Sequence, residues 1–454
     1  MKKRITCLGL LVFALFVAAC GSKEEPKEEK KEVSVFGEES TDKPDTEPTT
    51  APTSTPEPTP TTAPVVDEKP VVGVPENTGE EEVVDEDAMF KRALMQTGNN
   101  YRLKRAIEKA RNGEEVIIAY IGGSITEGAN AKPQSTMCYA YRSYEYFKET
   151  FANGGNNVKF VNAGLSGTPS TVGLVRYENE IIKAVGEPDI VFVEFAVNDG
   201  DDPTKGVCFE SLVLNALQSE KDPAVVLIFS VFKSKWNLQS TLAPVGVHYD
   251  LPMVSIKDAV LPALASGELT EAEFFSDIYH PTNKGHQLMA DCINYMFDVV
   301  DAEEASATDI TIPDTPKIGN DYVGIKTLDT TVTDVAVTTG GFTGKDGALS
   351  GKSFKNNWMK PSAAANDAFK VTLNCKNAIL YYKSSSSTAY GKADVYVDGT
   401  KVATLNGHAA GGWNNPLLKI LFDETEAKEH TIEVKMAEGD EGKAFTILSI
   451  GYTE

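Results

Sequence analysis

The sequence predicts an α/β fold, a three-layer doubly wound domain around a parallel five-stranded sheet, followed by a C-terminal all-β sandwich domain. Three observations lead there. Between residues 87 and 302, five short apolar runs alternate with stretches of helical spacing, the pattern of strands buried on both faces. From about residue 317, Gly, Ser and Thr rise and short alternating strands replace the helical spacing. At 454 residues the chain is also too long for one ordinary domain.

The elements follow in order. Met1-Lys2-Lys3-Arg4 is a basic start, and Leu8 to Ala19 is a nearly unbroken apolar run, too short to span a bilayer comfortably. Residues 1–20 therefore read as an export signal. Its end, Val17-Ala18-Ala19-Cys20-Gly21, resembles the lipobox of bacterial lipoproteins. That resemblance implies acylation of Cys20 and attachment to the outer face of the cell membrane, where two acyl chains suffice for lasting anchoring. Residues 21–86 have almost no large apolar side chains and are rich first in Lys and Glu, then in Pro and Thr from Pro44 to Pro64. Such a segment cannot bury a core and is expected to be a disordered tether, reaching on the order of 200 Å if extended. The stretch 21–90 holds 20 acidic residues and 6 lysines, so about −14 of the net charge of −23 sits there. No basic patch suits a nucleic-acid backbone, and nucleic acid is not an expected partner.

In residues 87–302, a helical stretch with Tyr101, Ile107 and Ala110 stops at Asn112-Gly113. The strand candidates are Val116–Ile121, Val158–Val161, Ile190–Phe195, Ala224–Phe229 and Met253–Ile256. A last helix carries Leu288, Met289, Cys292, Ile293 and Met296 on one face. Residues 303–316 read as a linker and 317–454 as the all-β accessory domain, with strands at Phe369–Leu373, Ala393–Val397 and His430–Val434 and a hairpin turn at Asp398-Gly399. Cys138, Cys208, Cys292 and Cys375 are far apart without a CxxC pair, so neither a disulfide framework nor a thiolate metal site is indicated. No cofactor or metal is expected.

The chemistry sits at strand ends. Gly122-Gly123-Ser124-Ile125-Thr126-Glu127-Gly128 closes the first strand. Small residues there let the backbone turn sharply and expose the Ser124 hydroxyl, although a Gly-Ser loop capping a helix has the same look. Ser276-Asp277-Ile278-Tyr279-His280-Pro281 precedes the last helix. A serine hydroxyl needs a base, and an imidazole serves if a carboxylate fixes its tautomer. Of five histidines, His286 lies inside the last helix, His248 follows a Pro/Gly loop, and His408 and His430 fall in the β domain. His280, with Asp277 three residues before it, is the best candidate. Asn162-Ala163-Gly164-Leu165-Ser166-Gly167 and Val197-Asn198-Asp199-Gly200 follow the second and third strands. Each offers neutral donors suited to an oxyanion hole.

Together these four segments resemble, in order and spacing, the sequence blocks of the SGNH/GDSL hydrolase family over roughly residues 115–300. The resemblance implies a flavodoxin-like sheet, Ser124 as nucleophile, Asp277 and His280 as the acid–base pair, and the Ser124 N–H, Gly167 and Asn198 as oxyanion donors. Gly167 is preferred over Gly164 because the family glycine usually falls five residues after the position of Asn162. Gly123 stands where the GDSL form has aspartate, as in the branch reading GGSIT. The β domain resembles accessory modules of secreted carbohydrate esterases, with Trp358, Tyr390, Trp413 and Asn414 as candidate sugar-binding residues.

The expected function is a serine esterase acting on O-acetyl or other short acyl esters of a cell-surface polysaccharide. An acyltransferase or lysophospholipase on the same triad is a second reading, and a non-catalytic glycan-binding lipoprotein a third. An α/β-hydrolase elbow, G-x-S-x-G, fails at Thr126. No HExxH spacing is present, and Gly344-Lys345-Asp346 lacks the rest of a P-loop.

Overall fold

The structure is a computed structural model that describes residues 87–347 and 353–454. The export signal, Cys20 and the tether 21–86 lie outside the described residues. The first sheet holds β1 (Leu94–Gln96), β2 (Val116–Gly122), β3 (Val158–Gly164), β4 (Ile190–Glu194), β5 (Ala224–Phe229) and β6 (Met253–Ser255), in the order β1-β6-β5-β4-β2-β3. Strands β2 to β6 pair in parallel and correspond to the five apolar runs. The sequence reading missed β1, which pairs antiparallel with β6 and makes a sixth, edge strand. Three residues of Leu-Met-Gln are too few to show a period.

Every residue of β2, β4 and β5 is buried, because helices cover both faces of the sheet. The helix Tyr101–Arg111 ends where Gly113 turns at φ +77. The last helix, Asn283–Ala302, starts with Thr282 accepting a hydrogen bond from the Gly285 N–H at 3.0 Å. It buries Met289, Cys292, Ile293 and Met296, the face read from the sequence. The four cysteines from Cys138 to Cys375 are free and buried.

The second sheet contains β7 (Lys326–Leu328), β8 (Val337–Thr338), β9 (Trp358–Lys360), β10 (Phe369–Ser385), β11 (Lys392–Val397), β12 (Thr400–Asn406), β13 (Trp413–Met436) and β14 (Phe445–Thr453). All of its ladders are antiparallel. Asp398 and Gly399 take φ +51 and +77 between β11 and β12, the paired left-handed conformation of a two-residue hairpin turn.

Strands β10 and β13 run 17 and 24 residues, much longer than the segments visible in the sequence, and their ladder is interrupted by register shifts near Asn377, Ile379 and Ser385. Residues Phe369–Cys375 alternate buried and exposed, whereas Asn377–Ser385 are buried throughout. The reason is contact with the first domain. Ile379, Tyr381 and Leu448 join a core with Val172, Val175 and Phe209, while Leu380, Tyr382 and Ile447 face the β core. The Tyr381 hydroxyl donates to the Thr171 carbonyl at 2.8 Å, and Thr327 donates to that of Val175 at 2.9 Å. Buried Glu210 accepts N–H groups of Lys317 and Gly319 at 2.6 and 2.8 Å, tying down the start of the second domain. The two domains are thus one packed body over these residues.

Candidate active site

Parallel strands end on the same side of a sheet, so β2, β3 and β4 bring their following loops together. In register, Gly122 lies beside Gly164 on one side and Glu194 on the other. After Gly122 the chain turns directly into the short helix Ser124–Glu127, which leaves the Ser124 N–H in a first turn without an intrahelical acceptor. The tightness of the turn requires both glycines. A Cβ at Gly122 would lie 2.5 Å from the Glu194 carbonyl oxygen, and one at Gly123 would lie 2.1 Å from Asn198 Oδ1. The GGSIT form is therefore matched to an asparagine amide seated directly on residue 123.

The loop after β5 and the turn before the last helix complete the surroundings. His280 Nε2 lies 2.9 Å from Ser124 Oγ, and its Nδ1 lies 2.9 Å from Asp277 Oδ2. The other Asp277 oxygen accepts the backbone N–H groups of Tyr279 and His280, both at 2.7 Å. Asn130 donates to Asp277 Oδ2 at 2.8 Å and to Ser276 Oγ at 2.9 Å. Partial burial works against the Asp277 charge, but the His280 ring and the two N–H groups outweigh it and hold the carboxyl down at about 2. The arrangement fixes the imidazole with its proton on Nδ1 and a lone pair on Nε2 toward the hydroxyl. It can take the Oγ proton as an ester carbonyl is attacked.

The Asn198 amide lies against residue 123, and the loop after β3 carries two glycine N–H groups. Gly167, at φ +67, keeps its N–H out of any hydrogen bond among the described residues, while the Gly164 N–H is taken by Asn162 Oδ1 at 2.9 Å. The structure thus favours Gly167 over Gly164 as the available donor. The loop carrying it is clamped by Glu127, whose Oε2 accepts the Ser166 N–H at 2.8 Å and also the Ser166 hydroxyl. Neither Glu127 nor Asn130 stood out in the sequence, since each acts only through a partner at least 39 residues away. His286, set aside on sequence, is buried. The Tyr139 N–H donates to its Nδ1 at 3.3 Å, so its Nε2 donates to the Ala129 carbonyl at 3.2 Å, and burial pushes its pKa down to about 4. It braces the loop after the nucleophile as a neutral ring.

Two further carboxyls lie beneath the site. Burial pushes Glu194 up to about 7, and burial together with the neighbouring Asp202 pushes Asp199 up to about 8. Thr126 Oγ1 reaches Glu194 at 3.4 Å and Tyr139 at 2.8 Å, and the Ser170 N–H donates to Asp199 at 2.7 Å. A raised carboxyl keeps in the folded state a proton that the unfolded chain releases, so stability falls with rising pH between the two pKa values. For Glu194 that window runs from 4.5 to about 7. Urea unfolding of Glu194→Gln across the window is expected to show a flatter pH dependence, by about 1 kcal/mol per pH unit.

The sugar-binding candidates divide. Trp358 is packed in the β core, its ring 5.1 Å from that of Phe369, so it has no face to offer; it is a core residue. The Tyr390 hydroxyl is held between buried Lys383 (2.6 Å) and Asp346 (2.8 Å), a structural contact within the β domain. Trp413 is 62% exposed, and its indole rests on Gly167, where a Cβ would meet Cζ2 at 2.7 Å. Asn414 follows it at φ +65, half-buried. The β domain thereby delivers one indole to the rim of the serine site. Among the described residues no group of three or more His, Cys, Asp or Glu is placed to hold a metal, and no helix is long and apolar enough to cross a membrane.

Known proteins resemble the chain in sequence family and in fold. Residues 120–288 match the GDSL-like lipase/acylhydrolase family. No curated protein matches the chain in sequence. Among solved structures, the chain is similar to a two-domain esterase active on acetylated mannans, crystallised with mannopentaose, at 28% identity and a TM-score of 0.70, over 80% of this chain and 98% of that one. A second structure of a two-domain esterase active on acetylated mannans matches at 28% identity and a TM-score of 0.71, over 80% and 99%. Residues 120–288 thus carry the match to the GDSL-like lipase/acylhydrolase family, and the chain is an esterase with an N-terminal α/β domain and a C-terminal antiparallel β domain.

Proposed function

We propose that the protein is a cell-surface serine esterase that removes O-acetyl or similar short acyl groups from a polysaccharide through an acyl-enzyme. The observation that carries this reading is the hydrogen-bonded line Ser124–His280–Asp277 beside free N–H donors. Ser124 Oγ attacks the ester carbonyl as His280 Nε2 takes its proton. The N–H groups of Ser124 and Gly167 and the amide of Asn198 hold the oxyanion, where their fixed positions favour the charged intermediate over the ester. His280 then protonates the leaving sugar oxygen and activates water against the acyl-Ser124 carbonyl. Asp277 stays ionised and stabilises the imidazolium.

A polysaccharide substrate is supported by Trp413, a flat exposed ring beside Gly167, and by the likeness to an esterase active on acetylated mannans. Attachment of the chain to the membrane through Cys20 is supported by the sequence Leu8 to Gly21 alone. The reading is tested by acetate release from acetylated mannan, xylan, pectin and peptidoglycan, with p-nitrophenyl acetate and octanoate alongside. Release from at least one acetylated polymer is expected, with acetate preferred to octanoate and no effect of a chelator. Turnover confined to the octanoate or to a phospholipid would support the lipase reading instead.

A further inference from the structure

The sheet order places β2, with Ser124, between β3 and β4. Trp413 sits on the β3 side, over Gly167. On the β4 side a second indole occupies the corresponding rim. Trp236, in the loop after β5, is 40% exposed, and a Cβ at Gly200 would lie 3.0 Å from its Cη2. Gly200 is two residues beyond Asn198. Phe232 stacks on Trp236 with centroids 5.7 Å apart and planes at 26°, and meets Tyr279 edge-on at 5.1 Å. The Lys233 N–H donates to the Ile278 carbonyl at 3.2 Å, so the loop is fastened to the turn that carries Asp277 and His280. Ile278 and Tyr279 are themselves exposed.

Exposed aromatic surface normally costs free energy in water, and a rigid, backed ring on a site's rim marks a recognition surface. We infer that Trp236, backed by Phe232 and Tyr279, forms a second sugar-stacking subsite across the serine from Trp413. The substrate is then a chain of several pyranose units lying over the site from one indole to the other, with the acylated sugar between them. A ring face presents C–H groups on one side and hydroxyls at its edge, which suits an open, half-exposed indole. A long acyl chain would gain most from an enclosed apolar slot, whereas Trp236 stands open to solvent.

This inference rests on the esterase reading above, and the experiment separates the two. Wild type, Trp236→Ala and Trp236→Phe are assayed on acetylated manno-oligosaccharides of increasing length, p-nitrophenyl acetate and p-nitrophenyl octanoate. Aryl acetate turnover reports that the triad is intact and the fold retained. For Trp236→Ala, kcat/KM on the longer oligosaccharides is expected to fall about tenfold or more through KM, with the aryl acetate rate held within about twofold and Phe restoring much of the loss. The wild-type gain with chain length should vanish in the Ala variant. Unchanged oligosaccharide kinetics in Trp236→Ala overturn the subsite alone. A loss confined to the octanoate overturns it in favour of an acyl-chain contact. A wild type that turns over aryl acetate but no acetylated saccharide overturns the polysaccharide reading, and the subsite with it.

Discussion

Ser124→Ala is expected to lower kcat on p-nitrophenyl acetate by about 10⁴-fold to 10⁶-fold. The size follows from the loss of the covalent route: without Oγ, the oxyanion donors and His280 can at best assist a water molecule. No neighbouring hydroxyl can replace it. Ser276 Oγ donates to the carbonyls of His280 and Pro281 at 3.0 and 3.1 Å, and Ser166 Oγ is committed to Glu127. The change leaves the fold alone. Gly123, not Ser124, is the capping residue of the short helix, and the one side-chain hydrogen bond of Ser124 among the described residues goes to His280. Stability should therefore shift by no more than about 0.5 kcal/mol. Initial rates and a thermal melt of the purified variant check both halves. A melting curve like the wild type's together with a wild-type rate would remove Ser124 from the reaction.

Much of this site was legible because its parts are local. Asp277 and His280 are three residues apart, and the turn that joins them supplies the hydrogen bonds that orient both. Ser124 and Asn198 follow apolar runs whose buried state is written in unbroken β-branched composition. What was not legible depends on contacts between distant segments. Trp358 and Trp413 look alike as isolated tryptophans in a Gly-rich, polar domain. Only the ladder that pairs Trp358 with Ile447 places it in the core, and only docking of the β domain sets Trp413 on Gly167. The same docking buries both faces of Asn377–Ser385, which erases the alternation that marks a half-exposed strand and hides the length of β10. Trp236 was passed over because it lies in a loop: Phe232 belongs to the same loop, but Tyr279, which packs on Phe232, and Gly200 come from two others.

Asp277→Asn is expected to lower kcat about 10³-fold to 10⁴-fold while leaving the turn folded. The amide oxygen can keep the two N–H groups that Asp277 Oδ1 now accepts at 2.7 Å. The amide NH₂ must then stand where Oδ2 stands, 2.9 Å from His280 Nδ1, and can only donate. Nδ1 becomes an acceptor, the ring proton moves to Nε2, and the nitrogen facing Ser124 Oγ can no longer take a proton. Asn130 adds to the effect, because its amide, 2.8 Å from Oδ2, would meet a second NH₂. Asp277→Ala would remove the acceptor for both N–H groups and confound the loss of charge with a loss of structure, so the asparagine variant is the informative one. The pH dependence separates electrostatics from packing. A carboxyl held at about 2 stabilises the fold above its unfolded value of 3.8, and that contribution is lost only as pH falls through about 2. Titration of Asp277 therefore cannot produce any fall in wild-type activity above about pH 4. Rate profiles of both proteins over that range, with melting temperatures at each pH, test the assignment. A variant within about tenfold of wild type at neutral pH would mean that the imidazole needs no carboxylate partner here.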